Sequence, residues 1–484
     1  MIRFSPQAAG TTPARLAPLP AMIMLALAGG AAQASLLPAG YPSPEQPMTF
    51  SIDVQGPTIG EDDSFYDIPI RGTDILTPEN PSVAPGPHPP GYPPALSAPP
   101  GMFIANPPAG SVPGLSIDNA TGLDSANGWG ELDALSYGRD PMDTPFPDQQ
   151  KHRPHYVFSV DEFAIGQPGT AVRTEGALGN QQASADTFMS QPKPLLPMGP
   201  PTVGTNYAFT DGDGEPPSGA PGVGLIEPNA PTVRQLPDLG DNLDAVDFDT
   251  TLADRSSWVY LSLDSAFADP LEAAAASPNY GTAAANGSVG GDVLRGIPAG
   301  APGGALQLYA AATALGLDPN GADTDDLDAL KLWENGVDGY QASDVPFDWM
   351  TGLTDMLLFS VRRGSAIIGT NDSIFGAPIE EGDVLTTPCS AGSSLPDGTT
   401  CVGGGAPGIF TAAEWLGLAT VRSGTFATWF DQNNDPIINP AYNANQWADD
   451  LDALDQKVPL PGTLALLGLG LGGFAAIRRR RRSA

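Results

Sequence analysis

A chain of 484 residues with 58 glycines, 53 prolines and only 16% charged residues favours turns, loops and short strands over long helices, which argues against an all-α protein. Its formal net charge of −34 repels nucleic-acid phosphates and anionic head groups and attracts cations, so nucleic-acid binding is set aside. Apolar residues make up 41%, enough for a core, and length leaves open roughly two to four domains or one large repeat architecture.

The chain opens with Arg3 and Arg15, an apolar run from Leu16 to Ala31, and the small residues Ala32 and Ala34 around Gln33. This layout predicts a secretory signal peptide over residues 1–34, cleaved after Ala34. Pro18 and Pro20 interrupt the run, which argues against the alternative of a retained membrane anchor.

The body, residues 48–456, repeats itself. The quartets FSID, FSVD, LSLD and FSVR place their serines at 51, 159, 262 and 360, in steps of 108, 103 and 98. A second element follows each one, with aspartates Asp74, Asp186, Asp292 and Asp383; a third, LDAL or LDAV, begins at Leu132, Leu243, Leu327 and Leu451. Intervals of varying length between fixed elements are what loops on a repeated scaffold produce. The first element alternates, with Met48, Phe50 and Ile52 on one face and equivalents in every copy, which is a strand signal. The third reads as a strand by its agreement across copies, with an amphipathic helix opening at DTDDLDALKLWENG as the alternative.

The expected fold is therefore all-β, a β-propeller of four long units, about 48–135, 156–248, 258–332 and 356–454. The body begins with FSxD and ends with LDAL, so pairing of the two elements lets the C-terminal strand complete the first unit and close the ring, removing exposed strand edges. An open β-sandwich array is the alternative. Excess length falls in loops such as Pro78 to Gly114, whose proline-rich stretch reads as extended chain. The short LDAL, FSxD and DIL motifs resemble bacterial propeller-type repeats.

Standard catalytic signatures are missing, and histidine occurs only at His88, His152 and His155. The HRPH segment reads as a solvated loop rather than a metal site. Two clusters have the oxygen density that suits calcium on a Gly-rich turn: Asp211, Asp213 and Glu215, and Asp318, Asn320 and Asp323. A solvated acidic turn is the alternative for each. The aspartates that recur in every unit argue for hydrogen bonds to turns or strand ends, since a catalytic group is needed once; no catalytic residue is assigned. Arg362 and Arg363 stand in the fourth copy, where the other copies carry acid in the first slot. They balance local charge or contact the carboxylates of an acidic polysaccharide. Cys389 and Cys401 flank a Ser/Gly/Pro-rich stretch, which in an exported protein reads as a local disulfide, with two free thiols as the alternative.

At the end of the chain stand Val458, Pro459, Leu460 and Pro461, a 15-residue apolar or small run from Thr463 to Ile477, and then Arg478, Arg479, Arg480, Arg481 and Arg482. As a hydrophobic helix the run reaches about 22 Å against a hydrocarbon core of roughly 30 Å, too short for a comfortable permanent span. The arginines resist translocation, so the chain pauses in the inner membrane with its body outside. These three features in order, over residues 458–484, resemble the PEP-CTERM sorting domain of exopolysaccharide-producing Gram-negative bacteria. The resemblance implies recognition by an exosortase, cleavage near the Pro-x-Pro and delivery to the cell surface or extracellular matrix. Leu460 stands where the family usually has Glu, which looks like a variant of the signal and leaves the partner exosortase open. An exported structural or polysaccharide-binding protein is the function expected, with calcium as the cofactor to test. The alternative is a secreted polysaccharide hydrolase or lyase on a propeller scaffold.

Overall fold

The LDAL, FSxD and second elements become neighbouring strands of one sheet, repeated four times. The structure, a computed structural model, describes residues 48–79, 89–90, 99–104, 115, 117, 131–137, 156–161, 164, 166–176, 182–190, 206–214, 220–227, 241–248, 259–264, 270–271, 281–296, 306–343, 345, 353–395, 398–431 and 433–456. Ala32, Ala34, Glu215 and the tail from Val458 to Arg482, with its expected short helix, lie outside the described residues.

In the first blade β1 (Met48–Ser51) pairs with β2 (Ile75–Thr77), and β2 with β3 (Gly101–Ile104). The second blade runs β4 (Leu135–Ser136), β5 (Tyr156–Phe158), β6 (Thr187–Ser190) and β7 (Asn206–Thr210). The third runs β8 (Ala245–Phe248), β9 (Val259–Ser262), β10 (Val293–Gly296) and β11 (Gln307–Ala310). The fourth runs β12 (Leu327–Trp333), β13 (Met356–Val361), β14 (Val384–Thr386) and β15 (Gly408–Thr411). A two-stranded ribbon, β16 (Ala427–Thr428) with β17 (Gln446–Trp447), precedes β18 (Ala453–Gln456). This last strand returns to the first blade and pairs antiparallel with β1, Phe50 opposite Leu454.

The LDAL strands are the innermost of each sheet and touch in cyclic order: β4 with β8, β8 with β12, β12 with β18 and β18 with β4. The result is a ring arranged like a four-blade β-propeller, closed by the C-terminal strand, and the LDAL element is a strand rather than a helix. Each blade lies between two others, so its strands are buried on both faces. Leu135, Tyr137 and Phe158 pack between the first and second blades, Phe209, Val246 and Leu261 between the second and third, and Tyr260, Leu330 and Phe359 between the third and fourth.

The serines explain the FSxD pattern. Ser51 Oγ donates to the Leu132 carbonyl at 2.7 Å, Ser159 to Leu243 at 2.8 Å, Ser262 to Leu327 at 2.9 Å and Ser360 to Leu451 at 2.6 Å. Each bond joins one blade to the inner strand of the next, and the four complete the circle. A buried hydroxyl needs such a partner. A second, less obvious set of links comes from the residue two before the LDAL leucine. Asp241 accepts from the Ile226 and Thr282 N–H groups, Asp325 from Asp318 and Ile367, and Asp449 from Ala419 and Thr58. Each thereby ties the loop leaving one blade to the first turn of the next.

The second-element aspartates bind turns, as their recurrence suggests. One oxygen accepts the N–H three residues earlier: Arg71 for Asp74, Val289 for Asp292 and Glu380 for Asp383. The other oxygen of Asp292 and of Asp383 caps a short helical turn, accepting from Ala312 and Ala413. Gly316 and Gly417, at φ 83° and 89°, end those turns in the left-handed region where a Cβ is disfavoured. A β-bulge follows this aspartate in all four blades. Cys389 and Cys401 form a disulfide in the loop after β14.

Candidate cation site between the inner strands

The residue after each LDAL leucine is an aspartate: Asp133, Asp244, Asp328 and Asp452. These four meet between the inner strands, and Oδ2 of every one is buried without a hydrogen-bond partner. They also act on one another: Asp133 on Asp244 and on Asp452, and Asp244 and Asp452 on Asp328. Burial first, and neighbouring carboxylates second, push all four well above the usual carboxylate range. The structure thus separates two sets of recurring aspartates that look alike in the sequence. Asp74, Asp292 and Asp383 of the second-element set bind turns; every member of the LDAL set leaves an oxygen unused.

More acid surrounds the ring. The FSxD elements contribute Asp53, Asp161 and Asp264, and the residues preceding the LDAL leucines contribute Glu131, Asp326 and Asp450. Burial, then other carboxylates, raises Glu131, whose Oε1 accepts the Val54 N–H. Burial raises Asp264 to about 7 against the opposing pull of Arg362.

Two arginines enter this acid. Arg362 forms ion pairs with Asp264 and, at 3.2 Å, with Asp326. Arg363, fully buried, pairs with Asp53, lies 3.9 Å from Asp450 and donates its backbone N–H to that carboxylate at 2.8 Å. Both guanidiniums thus engage the chain's own aspartates.

Two groups of three carboxylates come close enough to share a cation, with oxygens within 4.8 Å of one another: Asp244 with Asp264 and Asp326, and Asp328 with Asp450 and Asp452. Arg362 bridges two members of the first. The second is buried throughout and contains two of the unpartnered oxygens. Hard carboxylate oxygens at this density suit calcium rather than a softer metal.

Four residues past each LDAL leucine lies a contrasting ring: Ser136, Asp247, Lys331 and Asp455. Lys331 Nζ lies 3.0 Å from Asp247 and 2.9 Å from Asp455. Asp247 also accepts from Ser136 Oγ and the Leu332 N–H, and Asp455 from the Tyr137 N–H. Burial raises Asp455 only to about 6, because the Lys331 charge opposes it.

The calcium candidates of the sequence fare differently. Asp318 turns its carboxylate onto the N–H groups of Asp323, Thr324 and Asp325, which closes its own turn. Asp211 instead joins Asp186 and Glu227 with oxygens within 4.8 Å, at the outer end of the second blade. Asp186 accepts the Gly212 N–H at 2.9 Å, but its Oδ2, unlike that of its equivalents in the other blades, has no partner. Glu227 accepts the Asp213 N–H and is raised to about 8, by burial and then by Asp211. The equivalent pocket of the fourth blade holds Glu380, Asp383 and Glu414, and there Arg422 pairs with all three. Neither Asp186 nor Glu227 stands within about 25 residues of both partners in an ordered motif, so only the fold brings the group together.

Among the described residues no helix is long and apolar enough to cross a membrane. No curated protein and no solved structure matches the chain. The family model of the PEP-CTERM protein-sorting motif matches residues 457–482, the segment with Pro459, Pro461 and the arginine run. The chain therefore ends in the sorting signal of an exported, surface-directed protein that an exosortase processes.

Proposed function

We propose that the protein is a structural or polysaccharide-binding component of the cell surface or matrix, delivered after transient anchoring in the inner membrane. The observation that carries this reading is the distribution of its acids. They recur copy by copy around a closed ring, where catalysis calls for several non-repeated groups converging in one cleft. A body of such negative charge meets an acidic polysaccharide through cations rather than directly. The half-exposed Glu227 and Asp213, beside Asp211 and Asp186, supply oxygens for a calcium bridge of that kind.

Binding of matrix polysaccharide by the purified protein in calcium, without new reducing ends, is the expected outcome. Accumulation of reducing ends would instead support the hydrolase or lyase reading. Mass spectrometry of the released protein tests the sorting step separately. The expected mature chain ends near Pro461 and lacks Arg478 to Arg482; an intact arginine tail on the released form would contradict exosortase processing.

A further inference from the structure

We propose that a divalent cation of the calcium class is bound between the inner strands by Asp328, Asp450 and Asp452, locking the last blade junction of the ring. Three independent features of the structure lead there. The first is charge. Asp53, Glu131, Asp133, Asp161, Asp244, Asp264, Asp326, Asp328, Asp450 and Asp452 gather around two arginines, Arg362 and Arg363. Buried carboxylates in such excess require either protons or further cations.

The second is the unused oxygens. Asp328 and Asp452 are 6% and 8% exposed, and Oδ2 of each is buried with no hydrogen-bond partner in a group whose oxygens lie within 4.8 Å. A buried carboxylate oxygen without a donor is costly, and a metal ion removes that cost. The third is the contrast with the other axial group. Arg362 ion-pairs with two members of the Asp264 group, whereas the Asp328 group is buried throughout and Arg363 approaches it at Asp450, with Nη2 3.9 Å away and its backbone N–H 2.8 Å away. The ion's place is the group in which the Asp328 and Asp452 oxygens are left without a donor.

Position gives the site its consequence. Asp328 belongs to the inner strand of the fourth blade, and Asp450 and Asp452 to the segment that returns to complete the first. An ion shared by them joins the two ends of the repeat array where the ring closes. It thereby couples closure to the higher calcium of an extracellular setting. This inference stands apart from the polysaccharide reading, which uses the outer pocket of the second blade.

The test uses the purified full chain, stripped with chelator and dialysed against calcium chloride, with bound calcium counted by elemental analysis and melting followed by circular dichroism. The wild type is expected to retain at least one ion and to melt higher in calcium than in chelator. Asp328→Asn with Asp452→Asn should lose one ion, and its melting should lose most of the calcium response. Asp211→Asn should leave the axial ion in place. No bound calcium and no calcium-dependent shift in the wild type would overturn the proposal. So would full retention of calcium by the Asp328→Asn, Asp452→Asn pair, with its loss in Asp211→Asn. If the pair does not fold, Asp328→Asn alone gives the same readout.

Discussion

Two rings of side chains, set by positions three apart in the same four inner strands, solve the same problem differently. In the ring of Ser136, Asp247, Lys331 and Asp455, one lysine lies between two aspartates, and serine and backbone donors take further oxygens. In the ring of Asp133, Asp244, Asp328 and Asp452, all four copies are acid and each keeps an unpartnered oxygen. The first ring carries its own counter-charge in the sequence; the second draws on Arg362 and Arg363 nearby and leaves part of its charge for a ligand. The outer pockets also differ: Arg422 pairs with the acids of the fourth blade, and in the second blade Asp186, Asp211 and Glu227 converge with oxygens within 4.8 Å of one another.

Removing the internal cation should convert the first ring into the second. Lys331→Met leaves Asp247 and Asp455 buried without their counter-charge, and a loss of about 3–5 kcal/mol in denaturant unfolding is expected, the scale for breaking a buried pair. An unchanged midpoint would mean that the ring is already neutralised by protonation.

A smaller effect, of opposite sign in the two kinds of site, is expected from pH. Asp264 has its folded pKa raised to about 7 by burial. Its contribution is therefore fully present below the unfolded value of about 3.9 and is lost as pH rises through 7. In chelator, lowering the pH from 8 to 5 should raise the melting midpoint, by roughly 5 °C, and calcium should flatten that dependence. Glu414 behaves the other way: burial raises it, but the hydrogen bonds and charge of Arg422 prevail and hold it below its usual value. Its contribution is present above about 4.5 and is lost as pH falls through the depressed folded value, so acid below the usual glutamate range should loosen the fourth blade. Melting curves across pH 3 to 8 check both limbs.

The smallest effect tests the symmetry itself. Ser159→Ala and Ser360→Ala each remove one blade-to-blade hydrogen bond and should each cost about 1 kcal/mol in unfolding free energy. Similar losses at the two junctions are expected from equivalent bonds. A much larger loss at Ser360 would mark the closing junction as the weaker one.

The period of the FSxD serines and the leftover LDAL at Leu451 were enough to expect a four-unit ring closed by β18, because each element is a short local pattern with a fixed partner. The disulfide was legible for the same reason. The acidic ring was not. Asp133 and Asp74 recur with equal regularity, and nothing in one dimension tells a turn-capping aspartate from one left with an unsatisfied oxygen. The partners of Asp211 come from the turn just before β6 and the loop after β7, so their convergence depends on the blade. Other signals were present in the letters: D-x-L-D-A marks the blade-linking Asp241, Asp325 and Asp449. D-S-x-x-x-x-P-I marks matching turns in the first and fourth blades, where Asp63 and Asp372 each accept from several backbone N–H groups. In those turns Asp67, at φ 54°, takes the left-handed place that Gly376 occupies at φ 71°.

A crystal structure of the protein grown in calcium, with anomalous difference density, addresses the central claim most directly. A peak about 2.3–2.6 Å from oxygens of Asp328, Asp450 and Asp452 is the result the charge balance predicts. Short carboxyl-to-carboxyl hydrogen bonds at these three residues, with no anomalous peak, would show that protons rather than a metal neutralise the ring.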